Sequence, residues 1–212
     1  IRTLKAATLT MRHIASRRDC ETGAHLERMA RYCRLIARAV AETHGLSDEY
    51  IEHLFLFAPL HDIGKVAIPD SILLKPGPLT EVEFEIMRGH TRKGLELIDL
   101  MLQEFGFTSF AHTEVLRNLV LSHHESFDGN GYPQGLKGEA IPIEARITTT
   151  ADVLDALTSR RSYKPAWPLD VALAELRRQA GRKLDPACVE ALVAHADEIV
   201  TIQRQFAESV YG

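Results

Sequence analysis

The sequence predicts an all-α fold, a helical bundle with one long Gly/Pro-rich functional loop. Three observations carry that expectation. Apolar residues recur at helical spacing in one segment after another. Helix caps and stop signals bound many of those segments. No stretch reads convincingly as a strand, and residues 126–142 hold Gly129, Gly131, Pro133, Gly135, Gly138 and Pro142.

Residues 1–19 read as a helix with Ile1, Leu4, Met11 and Ala15 on a loose stripe. Such a helix either docks on its own domain or enters from an upstream domain and pairs with another copy. Residues 21–44 form a stronger helix, with Leu26, Met29, Ala30, Cys33, Ile36, Ala37 and Val40 on one face and Gly45 as its stop. Ser47 caps the next, which buries Tyr50, Ile51, Leu54, Phe55 and Ala58 and delivers His61 and Asp62. Gly64 then allows a close backbone turn before Lys65. Thr80 and Glu83 make a capping box for a helix carrying Phe84, Ile86 and Met87. A helix with Leu95, Leu97, Ile98 and Leu102 follows. Phe105, Phe107 and Phe110 then mark a loop tucked against the core. Val115, Leu116, Leu119 and Val120 form a buried stripe that ends in His123-His124-Glu125. Residues 143–158 are helical, and Asp152 and Asp155 interrupt an apolar run that includes Ile147, Ala151 and Leu154. A buried carboxylate needs a partner, which a metal or an arginine supplies. Three further helices close the domain, one of them opened by Asp185-Pro186.

The totals set bounds. At 212 residues the chain is one large domain, or one domain plus an extra helix. Three scattered cysteines, Cys20, Cys33 and Cys188, make no CxxC pair, which favours a reducing, cytoplasmic setting and argues against a zinc ribbon. A net charge of −4 argues against a nucleic-acid polymer as partner. No apolar run has the length of a membrane span, so this segment is expected to make no membrane contact, and no signal peptide opens the chain. The start at Ile1 points to a piece of a longer protein.

The chemistry-bearing residues lie at helix ends or on apolar faces. Glu21 and His25 stand one turn apart; His61 and Asp62 are adjacent; His90, the pair His123-His124, and Asp152 follow. Singly, each is more often a surface pair or a satisfied polar residue. Adjacent histidines on a helix diverge by about 100°, which suits two metals side by side better than one. Eight N/O ligands exceed the needs of one ion and fit two or three metals, with Asp62 as the bridge. No thiolate is involved, so Fe or Mn fits as readily as Zn. Such a cluster suits phosphoester hydrolysis, because it activates a bound water and stabilises the phosphoryl and leaving oxygens.

The ordered segments Glu21-Thr22-Gly23-Ala24-His25, His61-Asp62-Ile63-Gly64-Lys65, Ile68-Pro69-Asp70, Leu74-Lys75-Pro76-Gly77, His90, His123-His124-Glu125, Asp128-Gly129-Asn130-Gly131-Tyr132-Pro133, the run Ala151 to Leu157, Arg161-Ser162-Tyr163-Lys164 and Asp185-Pro186 together resemble the HD-GYP domain. That family is the branch of the HD phosphohydrolases that degrades cyclic di-GMP in bacteria, and the resemblance covers nearly all of residues 19–195. It implies a helical bundle of the HD-domain type, with an N-terminal signalling helix over residues 1–19 and a catalytic domain over 20–212. It implies that His25, His61, Asp62, His90, His123, His124 and Asp152 hold metal, with Glu21 the extra carboxylate of trinuclear members. Lys65 is implied beside the scissile phosphate, with Asp62, as a catalytic residue. Arg161 and Lys164 are implied as phosphate-binding, and the Gly131-Tyr132-Pro133 loop as shaping the site and contacting diguanylate cyclase domains. The implied cofactors are two or three divalent ions, Fe or Mn first, with Zn, Ni and others as alternatives. An upstream sensor or receiver domain and a homodimer are the remaining implied partners. The expected reaction is attack of a hydroxide on the phosphorus of a 3′–5′ diester, giving linear pGpG and, in some members, GMP. Alternatives are a cyclic di-GMP receptor with little turnover and an enzyme for another cyclic dinucleotide such as cyclic GMP-AMP. Leu184 stands where Phe is usual, Ser162 replaces a common Pro, and residues 100–113 are longer than the usual loop.

Overall fold

The structure, a computed structural model, describes residues 6–11, 23–107, 112–160 and 165–207. Among them no strand forms, and the fold is all-α, with one isolated bridge between Ala180 and Leu184. Residues 6–11 are helical; most of the expected 1–19 helix and the boundary after it lie outside the described residues.

Helix α1 (Gly23–Ala39) is central and packs against α2 (Asp48–Phe57), α6 (Ile143–Thr158), α8 (Pro186–Ala194) and α9 (Ala196–Gln205). Its apolar face buries Met29, Tyr32, Cys33 and Ile36 completely. A further helical turn ends at Gly45, whose φ of 64° is a left-handed stop that favours glycine. Ser47 caps α2 by accepting from the Tyr50 amide at 3.2 Å. Two tight turns, Ala58–Leu60 and Ile63–Ala67, carry the chain past His61 and Asp62. Helix α3 (Glu81–Arg88) opens with the full Thr80–Glu83 capping box. Helices α4 (His90–Glu104) and α5 (Thr113–Ser122) pack together, and α7 (Leu169–Gln179) lies on α6 and α8.

Some apolar positions differ from the sequence expectation. Phe57, not Phe55, enters the core of α2. Phe55 is half-buried beneath the guanidinium groups of Arg34 and Arg31, at 4.3 and 5.8 Å from its ring centroid. Helix α3 lies outside the bundle, so Phe84 and Ile86 are exposed, together with Val82. Its periodicity is real, but none of its residues is buried. Phe105 is exposed and stacks on Phe107, which packs on the core; Phe110 lies outside the described residues.

One backbone crossing positions the site. A Cβ on Gly64 would stand 1.8 Å from the His90 carbonyl oxygen and 2.5 Å from the Gly94 amide nitrogen. A Cβ on Gly94 would meet the Val120 side chain at 2.7 Å. The Ile63–Ala67 turn therefore lies directly on the first turn of α4, which no side chain at Gly64 would permit. That contact sets Asp62 against His90. No described helix is long and apolar enough to cross a membrane.

Candidate metal centre

Seven of the expected donors converge in two adjoining clusters. One holds Asp62, His90, His123 and His124, and the other His25, His61 and Asp152. Within each, one ligand atom per residue lies within 4.8 Å of the others. The Asp62 carboxylate faces both. Its Oδ1 is 3.1 Å from His90 Nε2 and 3.5 Å from His123 Nε2, while its Oδ2 is 3.3 Å from His61 Nε2.

Each of four imidazoles has its proton fixed on Nδ1. His61 Nδ1 donates to the Ala58 carbonyl at 2.9 Å, and His90 Nδ1 to the Met87 carbonyl at 2.7 Å. His123 Nδ1 donates to the carbonyls of Leu119 and Val120. His25 Nδ1 donates to the Asp155 carboxylate at 2.7 Å. The acceptors carry no proton, so Nδ1 must supply it, and Nε2 is the nitrogen whose lone pair a neutral ring offers to a metal. The Nε2 atoms of His90 and His123 then face one another at 3.4 Å. Two lone pairs at that separation repel unless a cation lies between them. Asp62 Oδ1 is also buried and accepts no hydrogen bond among the described residues. These donors fit metal ions.

The electrostatics agree. Burial pushes the Asp62 carboxyl up, but its neighbours, the Lys65 ammonium first among them, hold it well below the usual carboxylate range. Burial lowers His123, and burial together with His123 lowers His124 well below the usual imidazole value. A carboxylate and neutral imidazoles are the ligand forms a metal needs.

His123 and His124 fall in the same candidate cluster, with ring centroids 4.2 Å apart, so one ion could take both where the spacing favours two. His123 is the C-cap of α5 and His124 lies in the turn beyond it, and their ring planes stand 45° apart. Lys65 Nζ stands 2.7 Å from Asp62 Oδ2 at the rim. The Tyr132 ring stacks on His124 at 4.8 Å and 28°, with the Arg88 guanidinium 4.5 Å from its centroid. Gly131 lies against the Glu125–Ser126 backbone, where a Cβ would stand 2.1 Å from the Ser126 nitrogen. Glu21, Arg161 and Lys164 lie outside the described residues.

Three supporting residues lie outside the expected donor set. Asp155 accepts from His25 and, through both oxygens, from Arg28 Nε at 2.6 Å and a terminal guanidinium nitrogen at 2.9 Å. Burial raises its pKa, but the Arg28 and His25 hydrogen bonds outweigh burial and bring it to about 2. Its sequence signal was its place in an apolar run, and Arg28 lies one turn after His25. Glu125 is buried and accepts from the backbone amides of Gln134 at 2.7 Å and Leu136 at 2.9 Å, clamping the glycine-rich loop. Gly94 completes the backbone crossing with Gly64.

The model of the HD domain family matches residues 11–188. The chain is 50% identical over 189 residues to the cyclic di-GMP phosphodiesterase response regulator RpfG of Xanthomonas campestris pv. campestris, covering 89% of this chain and 47% of that protein. It is 40% identical over 201 residues to 3′3′-cGAMP-specific phosphodiesterase 2 of Vibrio cholerae, covering 95% of this chain and 36% of that protein. Among solved structures it resembles Bd1817, a HDG"Y"P protein from Bdellovibrio bacteriovorus, with a TM-score of 0.58 at 20% identity, over 84% of this chain and 54% of that one. The chain thus spans less than half the length of these two curated relatives.

Proposed function

This chain belongs to the HD domain family, and on that premise we propose that it is a metal-dependent phosphodiesterase that opens cyclic di-GMP to linear pGpG. The observation that carries the reading is the Asp62 carboxylate, set between two clusters of imidazole and carboxylate donors. His25, His61 and Asp152 would hold one ion, and His90, His123 and His124 another, with Asp62 shared. Glu21 would serve a third. Fe or Mn is the proposed metal. When bound, the ions supply Lewis-acid activation of water and neutralise charge on the phosphoryl group.

The chain's own residues do the rest. Asp62 stays ionised, and Lys65, held beside it at 2.7 Å, presents an ammonium to a phosphate oxygen and offsets its growing charge. Arg161 and Lys164 would grip the second phosphate of the dianionic ligand. Tyr132 covers the His124 face of the centre, and Gly131-Tyr132-Pro133 forms a wall that excludes water from that side. The relatives' names support a cyclic dinucleotide substrate. The 40% identity to a 3′3′-cGAMP-specific enzyme favours cyclic GMP-AMP as a second reading. The proposal extends to a cytoplasmic setting, a catalytic domain over residues 20–212, and a signalling helix over 1–19. It also extends to an upstream sensor or receiver domain, a homodimer, and contact of the Gly-Tyr-Pro loop with diguanylate cyclase domains.

The test is incubation of protein prepared without oxygen and loaded with Mn²⁺ or Fe²⁺, with cyclic di-GMP, and chromatography of the products. Asp62→Ala is the control. The expected result is pGpG or GMP with wild type and neither with the control, which should also lose metal. Binding without product would favour a receptor. Faster turnover of cyclic GMP-AMP would move the substrate assignment.

A further inference from the structure

We propose a second metal site, separate from the centre above, that takes a divalent transition metal of the zinc class on Glu49, His53 and His112. One nitrogen of each ring and one Glu49 carboxylate oxygen lie within 4.8 Å of one another. Glu49 and His53 stand one turn apart on α2, and His112 is the residue just before α5. His112 Nε2 is 3.9 Å from Glu49 Oε2, and the two imidazole centroids are 5.0 Å apart at 38°. His53 Nδ1 donates to the Glu49 carbonyl at 2.8 Å, so Nε2 is the nitrogen that the neutral ring offers to a metal.

The backbone brings His112 into this group. Its φ of 64° is left-handed, which few residues other than glycine adopt. Tyr50 presents its ring edge to His112 at 5.9 Å and 90°, closing one side. Glu49 is exposed, so the remaining coordination faces are open to water. Two imidazoles and one carboxylate with open positions form a ligand set suited to zinc, and to nickel or copper less selectively.

The site's place in the fold gives it a consequence. Helices α2 and α5 both start here and both run toward the metal centre, α2 leading to His61 and Asp62 and α5 to His123 and His124. Each helix has 10 residues, so the two sites lie about 15 Å apart along the bundle. A bound ion would clip together the far ends of the two helices that carry the centre.

The probe is Zn²⁺ alone, added to the 212-residue chain already loaded with Mn²⁺, with bound zinc and manganese counted by native mass spectrometry. Wild type is compared with His53→Gln and His112→Asn; asparagine keeps the left-handed backbone accessible. The expected result is one fewer zinc per chain in each variant, with manganese content and zinc-free turnover unchanged. Equal zinc counts in all three proteins would overturn the proposal. If His112→Asn lost its helical circular dichroism, His53→Gln alone would decide, because His53 lies on the outer side of α2 and is only half-buried.

Discussion

Replacing Gly64 with alanine tests whether the crossing of the Ile63–Ala67 turn over α4 sets the geometry of the centre. The new Cβ would sit 1.8 Å from the His90 carbonyl oxygen. Real Cβ atoms essentially never come within 3.0 Å of such a neighbour. The turn and helix must therefore part by more than about 1 Å, and the neighbours that must move are backbone atoms of His90 and Gly94. Overpacking of that kind costs roughly 1–3 kcal/mol. For a chain of this length it lowers Tm by roughly 2–12 °C. The functional loss should be larger. Asp62 and His90 lie on opposite sides of the crossing, and a shift of about 1 Å at reacting groups can cost about 100-fold in rate. Differential scanning calorimetry, metal content and turnover should be measured on the same preparation. Gly64→Ala should retain helical circular dichroism, lose metal affinity and lose most of its turnover. Wild-type Tm together with wild-type metal affinity would refute the argument that this contact positions the site.

Other expectations follow from single contacts. Arg146→Met leaves the buried Asp185 carboxylate without its guanidinium partner, which should cost roughly 3–5 kcal/mol; an unchanged denaturation midpoint would contradict it. Glu125→Gln weakens the clamp on Gln134 and Leu136, and limited proteolysis should then cut within residues 126–142 faster than in wild type, with the helices intact. Burial pushes the Cys33 thiol up to about 12 and raises Cys188 as well, so iodoacetamide at neutral pH should label neither in the native protein and both after unfolding. Arg161→Ala should weaken cyclic di-GMP binding while metal content stays at the wild-type level; loss of metal would show that the proposed role is wrong.

What could be read from sequence was mostly what is local. Ser47, the Thr80–Glu83 box and Asp185 act on amides two or three residues away, so spacing alone locates them. The apolar faces of α1 and α5 were legible for the same reason. The face of α3 was also legible, but periodicity does not say what covers a face, and Phe84 and Ile86 are exposed. The donor types at the centre were legible as a set. Their division into two clusters was not, because each cluster draws on several elements brought together only by packing. The grouping of His123 with His124 was not legible either, because ring placement at the end of α5 depends on side-chain packing that spacing does not record. Glu125 stood in a matching segment, but its role was not legible, since its partners are main-chain amides of a loop whose path the sequence does not fix.

The orientation of the imidazoles has a bearing on how the centre comes into being. His61, His90 and His123 each satisfy Nδ1 with a carbonyl three or four residues back in their own segment. Their poise is therefore available as soon as the local turn has formed. His25 depends on Asp155, 130 residues further along the chain, and so on the docking of α6 against α1. Ring orientation at His61, His90 and His123 is thus set within their own segments, whereas at His25 it rests on a long-range contact, although both clusters need packing to assemble. Asp155→Asn should therefore lower the number of metal ions bound per chain at equilibrium, counted by native mass spectrometry. A wild-type count would show that the His25 donor does not depend on this contact.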